Sequence, residues 1–285
     1  MDKKFWTQEI EVLAGQKKFV NNGDDALEIE FNIPFSSEKE PDVSEIYIYN
    51  LSDSSIEEIK KDGYIIVNAG YKEMANIANI LTGTIEEVET EWLSVDKVTR
   101  IKATDGGTAW RKIKFNRTYQ KNTKASAIMR DLANALGYEI IKIEPKDDIT
   151  YKLGKTITSF ASRSLEQLAK DTKSKLFINK NRLTIAAEDD GKVTGIMLSE
   201  DSGLIGTPTV NRDETGDKSI KIDTTENKKQ NKKSKLTWKV TSLLNPLFET
   251  DGIIKIKSRS INGEYRIVRG RHTNDFNTEL VVTEA

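Results

Sequence analysis

The sequence predicts a mainly β protein with an α+β insertion: two related small antiparallel β-barrels flanking an α+β middle region. Three observations carry this. First, Ile46 to Thr104 is built of β-branched and aromatic runs, among them Ile46-Tyr47-Ile48-Tyr49, Tyr64-Ile65-Ile66-Val67 and Val98 to Thr104. Gly, Asp and Asn bound these runs, the pattern of antiparallel strands. Second, Leu236 to Thr283 repeats the same order more briefly: strand, Asn-containing turn, Asp-Gly turn, apolar strand, Gly, strand, hairpin, strand. Third, between Thr118 and Glu188 the apolar period changes from two to nearly four. The expected division is 1–115 for the first barrel, 116–190 for the middle domain and 191–285 for the second barrel.

Taken in order, Trp6, Gln8, Ile10 and Val12 mark one strand, and Ala26 to Ile33 marks a second with Leu27, Ile29, Phe31 and Ile33 on one face. Asn21-Asn22-Gly23-Asp24-Asp25 reads as a hairpin-type turn between them, and Pro34 and Pro41 bracket a polar loop. After Tyr49, Asn50 to Ser55 reads as turn, Ile56 to Lys61 as a short amphipathic piece, and Asp62-Gly63 as the turn into the next strand. Ile80 to Ile85 is a strand ahead of a charged hairpin.

In the middle, Thr123 is expected to cap a helix carrying Ile128, Leu132, Ala135 and Leu136, with Gly137 ending it. Tyr138 to Ile143 is a strand. Ser164 and Gln167 have capping-box spacing ahead of Leu165, Leu168, Ala169 and Thr172. Leu176 to Ile178 and Leu183 to Ile185 form a hairpin around Asn179-Lys180-Asn181. Val193 to Leu198, Pro208 to Val210 and Ser219 to Ile222 are further strands. The stretch 224–235, with Lys228, Lys229, Lys232, Lys233 and Lys235 among Asn and Gln, is expected to be an exposed, mobile loop.

Composition excludes several classes. With no cysteine there are no disulfides, thiolate metal sites or cysteine nucleophiles. No apolar run reaches membrane-helix length, and Met1 to Trp6 lacks the apolar core of a signal peptide. The 44 basic and 45 acidic side chains nearly cancel, which argues against a protein whose main task is gripping phosphate backbones.

Candidate chemistry is sparse. His272 is the single histidine, so any Ser-His-Asp triad would need it, and no serine sits in a G-x-S-x-G elbow. Its plainer role is a polar barrel residue near a turn. Glu86, Glu87, Glu89 and Glu91 are carboxylates of a kind used in acid and base work, yet their spacing fits a solvated strand face. Asp189-Asp190-Gly191 lacks the spaced oxygens of a calcium loop, and Asp105-Gly106-Gly107 is too short to cradle phosphate. Tyr47, Tyr49, Tyr64 and Tyr71 are either packing residues or a stacking platform for single strands. The Lys228 to Lys235 loop is either a solvated connector or a contact for an acidic surface. No catalytic, cofactor-binding or metal-binding residue is assigned, and no cofactor is expected.

Several stretches resemble a known family. Ile48-Tyr49-Asn50-Leu51-Ser52, Asp62-Gly63, Val67-Asn68-Ala69-Gly70-Tyr71, Leu81-Thr82-Gly83 and Val98 to Gly106 are similar to the first barrel of phage tail baseplate hub proteins. Ser242-Leu243-Leu244-Asn245-Pro246, Asp251-Gly252, Gly263 to Val268 and His272 resemble the last barrel, and the two middle helices occur in the same order. The likeness covers nearly the whole chain. It departs where a Pro-Gly is expected and the chain has Thr250-Asp251-Gly252, which puts that turn's geometry in question.

The resemblance implies a non-enzymatic homotrimeric hub at the tail tip of a contractile-tail phage, prophage or phage-like particle. Its six barrels would adapt the six-fold tail tube, or a distal tail protein, to a three-fold spike or fibre. It implies location in the virion tail after synthesis in a bacterial cytoplasm, with no membrane partner and no nucleic acid. Two other readings are a nucleic-acid-binding β-barrel protein using the lysine loop and the tyrosines, and a tail-associated cell-wall hydrolase component.

Overall fold

The fold is described from a computed structural model covering residues 7–36, 41–105, 109–188, 190–211 and 236–285. Trp6, Gly106, Gly107, Asp189, the expected strand Ser219 to Ile222 and the lysine loop lie outside the described residues.

The first barrel follows from alternation. Strands β1 (Gln8–Ala14), β2 (Lys17–Val20), β3 (Ile29–Ser36) and β4 (Val43–Tyr49) are followed by helix α1 (Asp53–Glu58). Strands β5 (Tyr64–Tyr71), β6 (Ala78–Leu93) and β7 (Asp96–Asp105) complete it. Every second residue points inward, as Ile10, Val12 and Ala14 do in β1 and Ile29, Phe31 and Ile33 do in β3. The strands lie in the order β3-β4-β7-β6-β5-β1-β2.

Two local readings change. The N-terminal hairpin turns at Gly15, which takes φ 62°, and joins β1 to β2; Asn21 to Asp25 only connects β2 to β3. Helix α1 starts inside the stretch expected to be turn, because the Ser52 hydroxyl accepts from the Ser55 N–H at 3.2 Å and caps it.

The middle unit comprises α2 (Ala109–Lys112), β8 (Lys114–Tyr119), β9 (Thr123–Lys124), α3 (Ala125–Leu136) and β10 (Glu139–Ile143). It continues with β11 (Thr150–Tyr151), β12 (Lys155–Phe160), α4 (Ala161–Asp171), β13 (Ser174–Asn179) and β14 (Arg182–Ala187). Helices α3 and α4 pack Ile128, Leu132, Leu165 and Leu168 against Ile178 and Leu183 of the β10-β14-β13 sheet. Gly137 ends α3 in the left-handed conformation at φ 80°, as expected.

The two expected N-caps are elsewhere. Thr123 sits in a strand bridge and its hydroxyl bonds to the Gln120 carbonyl at 2.8 Å. The free N–H of Ser126 in the first turn of α3 is met instead by Asp148 Oδ1 at 3.0 Å. Ser164 lies inside α4, which begins at Ala161, and donates back to the Phe160 carbonyl at 3.1 Å.

The second barrel holds β15 (Lys192–Leu198), β16 (Leu204–Val210), β17 (Thr237–Leu243), β18 (Gly252–Lys257), β19 (Asn262–Thr273) and β20 (Asn277–Glu284). Its order is β16-β17-β20-β19-β18-β15, the counterpart of β3-β4-β7-β6-β5-β1. The match extends to individual cross-strand pairs, although β16 carries an irregularity between Ile205 and Thr209 that β3 lacks, and β5 one between Val67 and Asn68 that β18 lacks. Tyr49 faces Val98 as Leu243 faces Asn277, and Thr90 faces Thr99 as His272 faces Thr278. Tyr64 faces Thr84 as Ile253 faces Arg266. A bulge interrupts β6 between Ile85 and Glu87, and β19 at the corresponding place between Ile267 and Arg269.

The Asp-Gly turns also coincide. Asp62 and Asp251 take φ 64° and 69°, and their N–H groups bond to Ile85 and Ile267 carbonyls, each at 2.8 Å. A Cβ on Gly63 or Gly252 would fall 2.7 or 3.0 Å from the Lys60 or Glu249 carbonyl oxygen. The turn at Thr250-Asp251-Gly252 therefore has the geometry of the Asp62-Gly63 turn, and a proline at position 251 could neither adopt its positive φ nor make its N–H bond. One difference is that β1 runs antiparallel to β5, whereas β15 runs parallel to β18. Another is that Asn50 corresponds to Leu244, one residue before Asn245: both N–H groups bond across at 2.7 Å, to Lys97 and Phe276 carbonyls.

The barrels are fused. Strand β19 pairs with β18 up to Arg266 and then with β3 from Arg269 to Thr273, which makes one 13-stranded sheet. At the crossing, Gly270 lies under the Phe35 ring; a Cβ there would sit 2.9 Å from the Glu279 carbonyl oxygen and closer still to that ring. Gly270→Ala is expected to lower stability to urea by about 1–3 kcal/mol through overpacking. An unchanged unfolding midpoint would contradict the close crossing.

Candidate functional site

The side chains that stand out by burial and charge lie at junctions between the three units. At the crossing of β3 and β19, the β19–β20 turn pushes Phe276 out of its own barrel and into the first one. Its ring meets Phe31 at 6.0 Å and Tyr71 at 5.6 Å, both near edge-to-face. The Tyr71 hydroxyl donates to the Phe276 carbonyl at 3.1 Å. Phe276, Leu244, Phe31 and Tyr71 belong to one apolar core, so the first barrel is completed by residues from the far end of the chain.

The second junction is polar. The β13–β14 turn holds Lys180 and Asn181 in the left-handed region, at φ 52° and 59°. That geometry aims both N–H groups at the Asp105 carboxylate, at 2.5 and 2.6 Å, from the end of β7. Burial pushes Asp105 up to about 6; the two N–H groups oppose the shift and Asp42 adds to it.

From the same turn, the Lys180 ammonium donates to the Pro246 carbonyl at 3.1 Å and pairs with Glu249 at 3.3 Å. Arg182 reaches the same carboxylate at 2.6 Å. Burial pushes the Glu249 carboxyl up, but Lys180 and Arg182 outweigh it and hold it below its ordinary value. Lys175 binds both oxygens of Asp251 at 2.6 Å. Asp105 of the first barrel, Lys180 and Arg182 of the middle unit and Glu249 of the second barrel thus form one network, and the Lys175–Asp251 pair is a second polar contact between the middle unit and the second barrel. Beside it lies a cleft of about 280 Å³ lined by Ile141, Phe177, Arg182, Glu249 and Asp251. The sequence shows Asp105 only in a turn too short to cradle phosphate and does not mark Phe276, because each acts on residues more than 70 positions away.

The residues singled out in the sequence are scattered. His272 is fully buried between the barrels, with Nδ1 2.9 Å from the Thr278 hydroxyl and its ring 5.0 Å from Phe35. Burial, then Lys180, pulls it down to about 3, so it is neutral and structural. Glu86, Glu87 and Glu89 pair with Arg111, Lys102 and Arg100 at 3.3, 2.6 and 3.4 Å along the outer strand face, and Glu91 lies exposed beyond them. Pairs of this kind contribute at most about 1 kcal/mol each.

The four tyrosines are not brought together: Tyr71 is in the core, Tyr64 is exposed, and Tyr47 and Tyr49 share one strand. Asp190 is paired with Lys142 at 2.5 Å. Among the described residues no group of His, Asp and Glu could hold a metal ion, and no helix is long and apolar enough to cross a membrane.

The fold, two β-barrels with an α+β unit between them, is similar to that of solved phage tail proteins. The 43 kDa tail protein of prophage MuSo2 from Shewanella oneidensis matches over 98% of this chain and 98% of its own, with TM-score 0.69 and 12% identity. A tail protein from Neisseria meningitidis MC58 matches over 98% and 97%, with TM-score 0.66 and 11% identity. An E. coli type VI secretion system component, itself similar in structure to the T4 bacteriophage tail proteins gp27 and gp5, matches over 98% and 77%, with TM-score 0.57 and 10% identity. No protein-family model matches the chain, and no curated protein matches it in sequence.

Two outcomes are expected at the polar junction. Glu249→Ala leaves the largely buried Lys180 ammonium without its carboxylate and should cost on the order of 3 kcal/mol in chemical denaturation; no change would mean the network is a surface feature. For Asp105, the folded chain binds more protons than the unfolded chain between about pH 4 and pH 6. Its contribution to stability therefore falls as pH rises through that window, by up to about 3 kcal/mol. Asp105→Asn should remove that slope from the stability profile, and an identical slope in both proteins would show that Asp105 titrates normally.

Proposed function

We propose that this chain is a structural, non-enzymatic hub of a phage or phage-like particle, placed at the tail tip or baseplate. It acts as a homotrimer. Its barrels, 1–115 and 191–285, form a ring, and the 116–190 unit projects from it. One face of the ring meets the six-fold tail tube or a distal tail protein, and the other meets a three-fold spike or fibre.

The observation that carries this reading is the shared strand order of the two barrels and their common pairing register at the long hairpin, including its bulge, and at the Asp-Gly turn. A single chain with two equivalent modules gives three copies the means to offer six near-equivalent surfaces, while its middle unit occurs three times. Closing such a ring also covers strand edges that a lone chain leaves open. The likeness to tail proteins over nearly the full chain supports the same setting.

Light scattering of the purified protein is expected to give three times 32.2 kDa, about 97 kDa. Antibody labelling of particles should mark one end of the tail. A monomer at tens of micromolar, together with no label at tail ends, would overturn the proposal.

A further inference from the structure

The two modules differ in one respect that their shared register makes visible. In β19, the edge facing away from β20 is fully used: β18 takes Asn262 to Arg266 and β3 takes Arg269 to Thr273. In β6, the edge facing away from β7 is used by β5 only from Ala78 to Thr84. From Glu87 to Leu93 it has no strand partner among the described residues. Strand β3 has its own counterpart in β16, and the free edge of β16, opposite β17, has no partner among them either. The chain thus contains one joint between modules, and the two halves of a second joint at two separate edges of the same sheet.

The hairpin tips repeat this relation. The β19–β20 tip buries Phe276 in the neighbouring barrel. The β6–β7 tip carries Trp92, Leu93 and Val95, which are 69%, 52% and 81% exposed and cover nothing. Three large apolar side chains on one hairpin end are a contact without its partner.

We infer that a second copy of this chain lays its β16 along the open half of β6, antiparallel, reproducing between copies the β3–β19 joint found within one copy. The inference rests on the ring reading and specifies how the ring closes. The register follows from the internal joint, where Thr273 faces Asn32 and His272 faces Ile33. Converted through the matching pairs, Glu91 faces Thr209 and Thr90 faces Val210 of the neighbouring copy. The Trp92, Leu93 and Val95 tip then enters that copy's second barrel as Phe276 enters the first. Unpaired strand edges and exposed apolar tips are removed together at each of three joints.

The chain has no cysteine, so paired substitutions report cleanly. Glu91→Cys with Thr209→Cys, or Thr90→Cys with Val210→Cys, places facing Cβ atoms about 5 Å apart and should give reducible dimer and trimer bands. Glu87→Cys with Thr209→Cys is four residues out of register, about 13 Å away, and should not. Trp92→Asp with Val95→Asp, on exposed positions, should leave circular dichroism unchanged and shift the mass to monomer.

A trimer that forms no cross-link at either pair, cross-links equally at the control, or survives the double aspartate overturns the joint while the ring stands. A disulfide within one chain overturns it in favour of a segment of the same polypeptide. A protein monomeric at all concentrations overturns both readings.

Discussion

The rest of the structure depends on the edge of one long strand. Strand β19 is longer than the β18 neighbour the local hairpin can supply, so about half of the backbone groups on that one edge need a partner from elsewhere. Strand β3 meets that need from more than 200 residues away, and the meeting fuses two barrels into one sheet. Buried backbone polar groups left unpaired cost as much as lost hydrogen bonds, so the pairing is strongly enforced. The tightness of the crossing explains Gly270, the neutral buried His272 and the displaced Phe276, which otherwise look unrelated.

The middle unit is held differently. Its own core is separate and apolar, but its contacts with the barrels at the polar junction run through carboxylates, lysines and an arginine around one tight turn. Charged contacts of this kind fix direction more strictly than apolar ones, because a displaced partner strands a charge in a poor solvent. The two barrels are therefore joined by sheet and apolar packing, and the middle unit is oriented by hydrogen-bonded ion pairs.

How much of this was legible follows from how local each cause is. Alternation in Ile46 to Tyr49 and Val98 to Thr104, the Gly137 helix end and the Asp62-Gly63 and Asp251-Gly252 turns are set by neighbouring residues, and the sequence displays them. The repeat was visible in the order of elements, although Asn50 and Asn245 are offset by one position that only the register reveals. Thr123 and Ser164 misled because the spacing of a cap is local while the actual partner of Ser126, Asp148, lies beyond the helix. Strand β2 escaped because it has a single buried residue, Phe19, and no alternation to display. The junctions were the least legible part. Asp105, Glu249 and Phe276 carry no motif, and their meaning arises only when distant strands pair.

The central claim is that two modules with one register make a chain that closes on its own copies. Averaged electron micrographs of the assembled protein, viewed down its axis, test this directly. The account predicts a closed ring of six similar lobes, with extra density repeating three times. A ring of three lobes, with the second barrels lying off the circle, or an open chain of lobes that never closes, would contradict it.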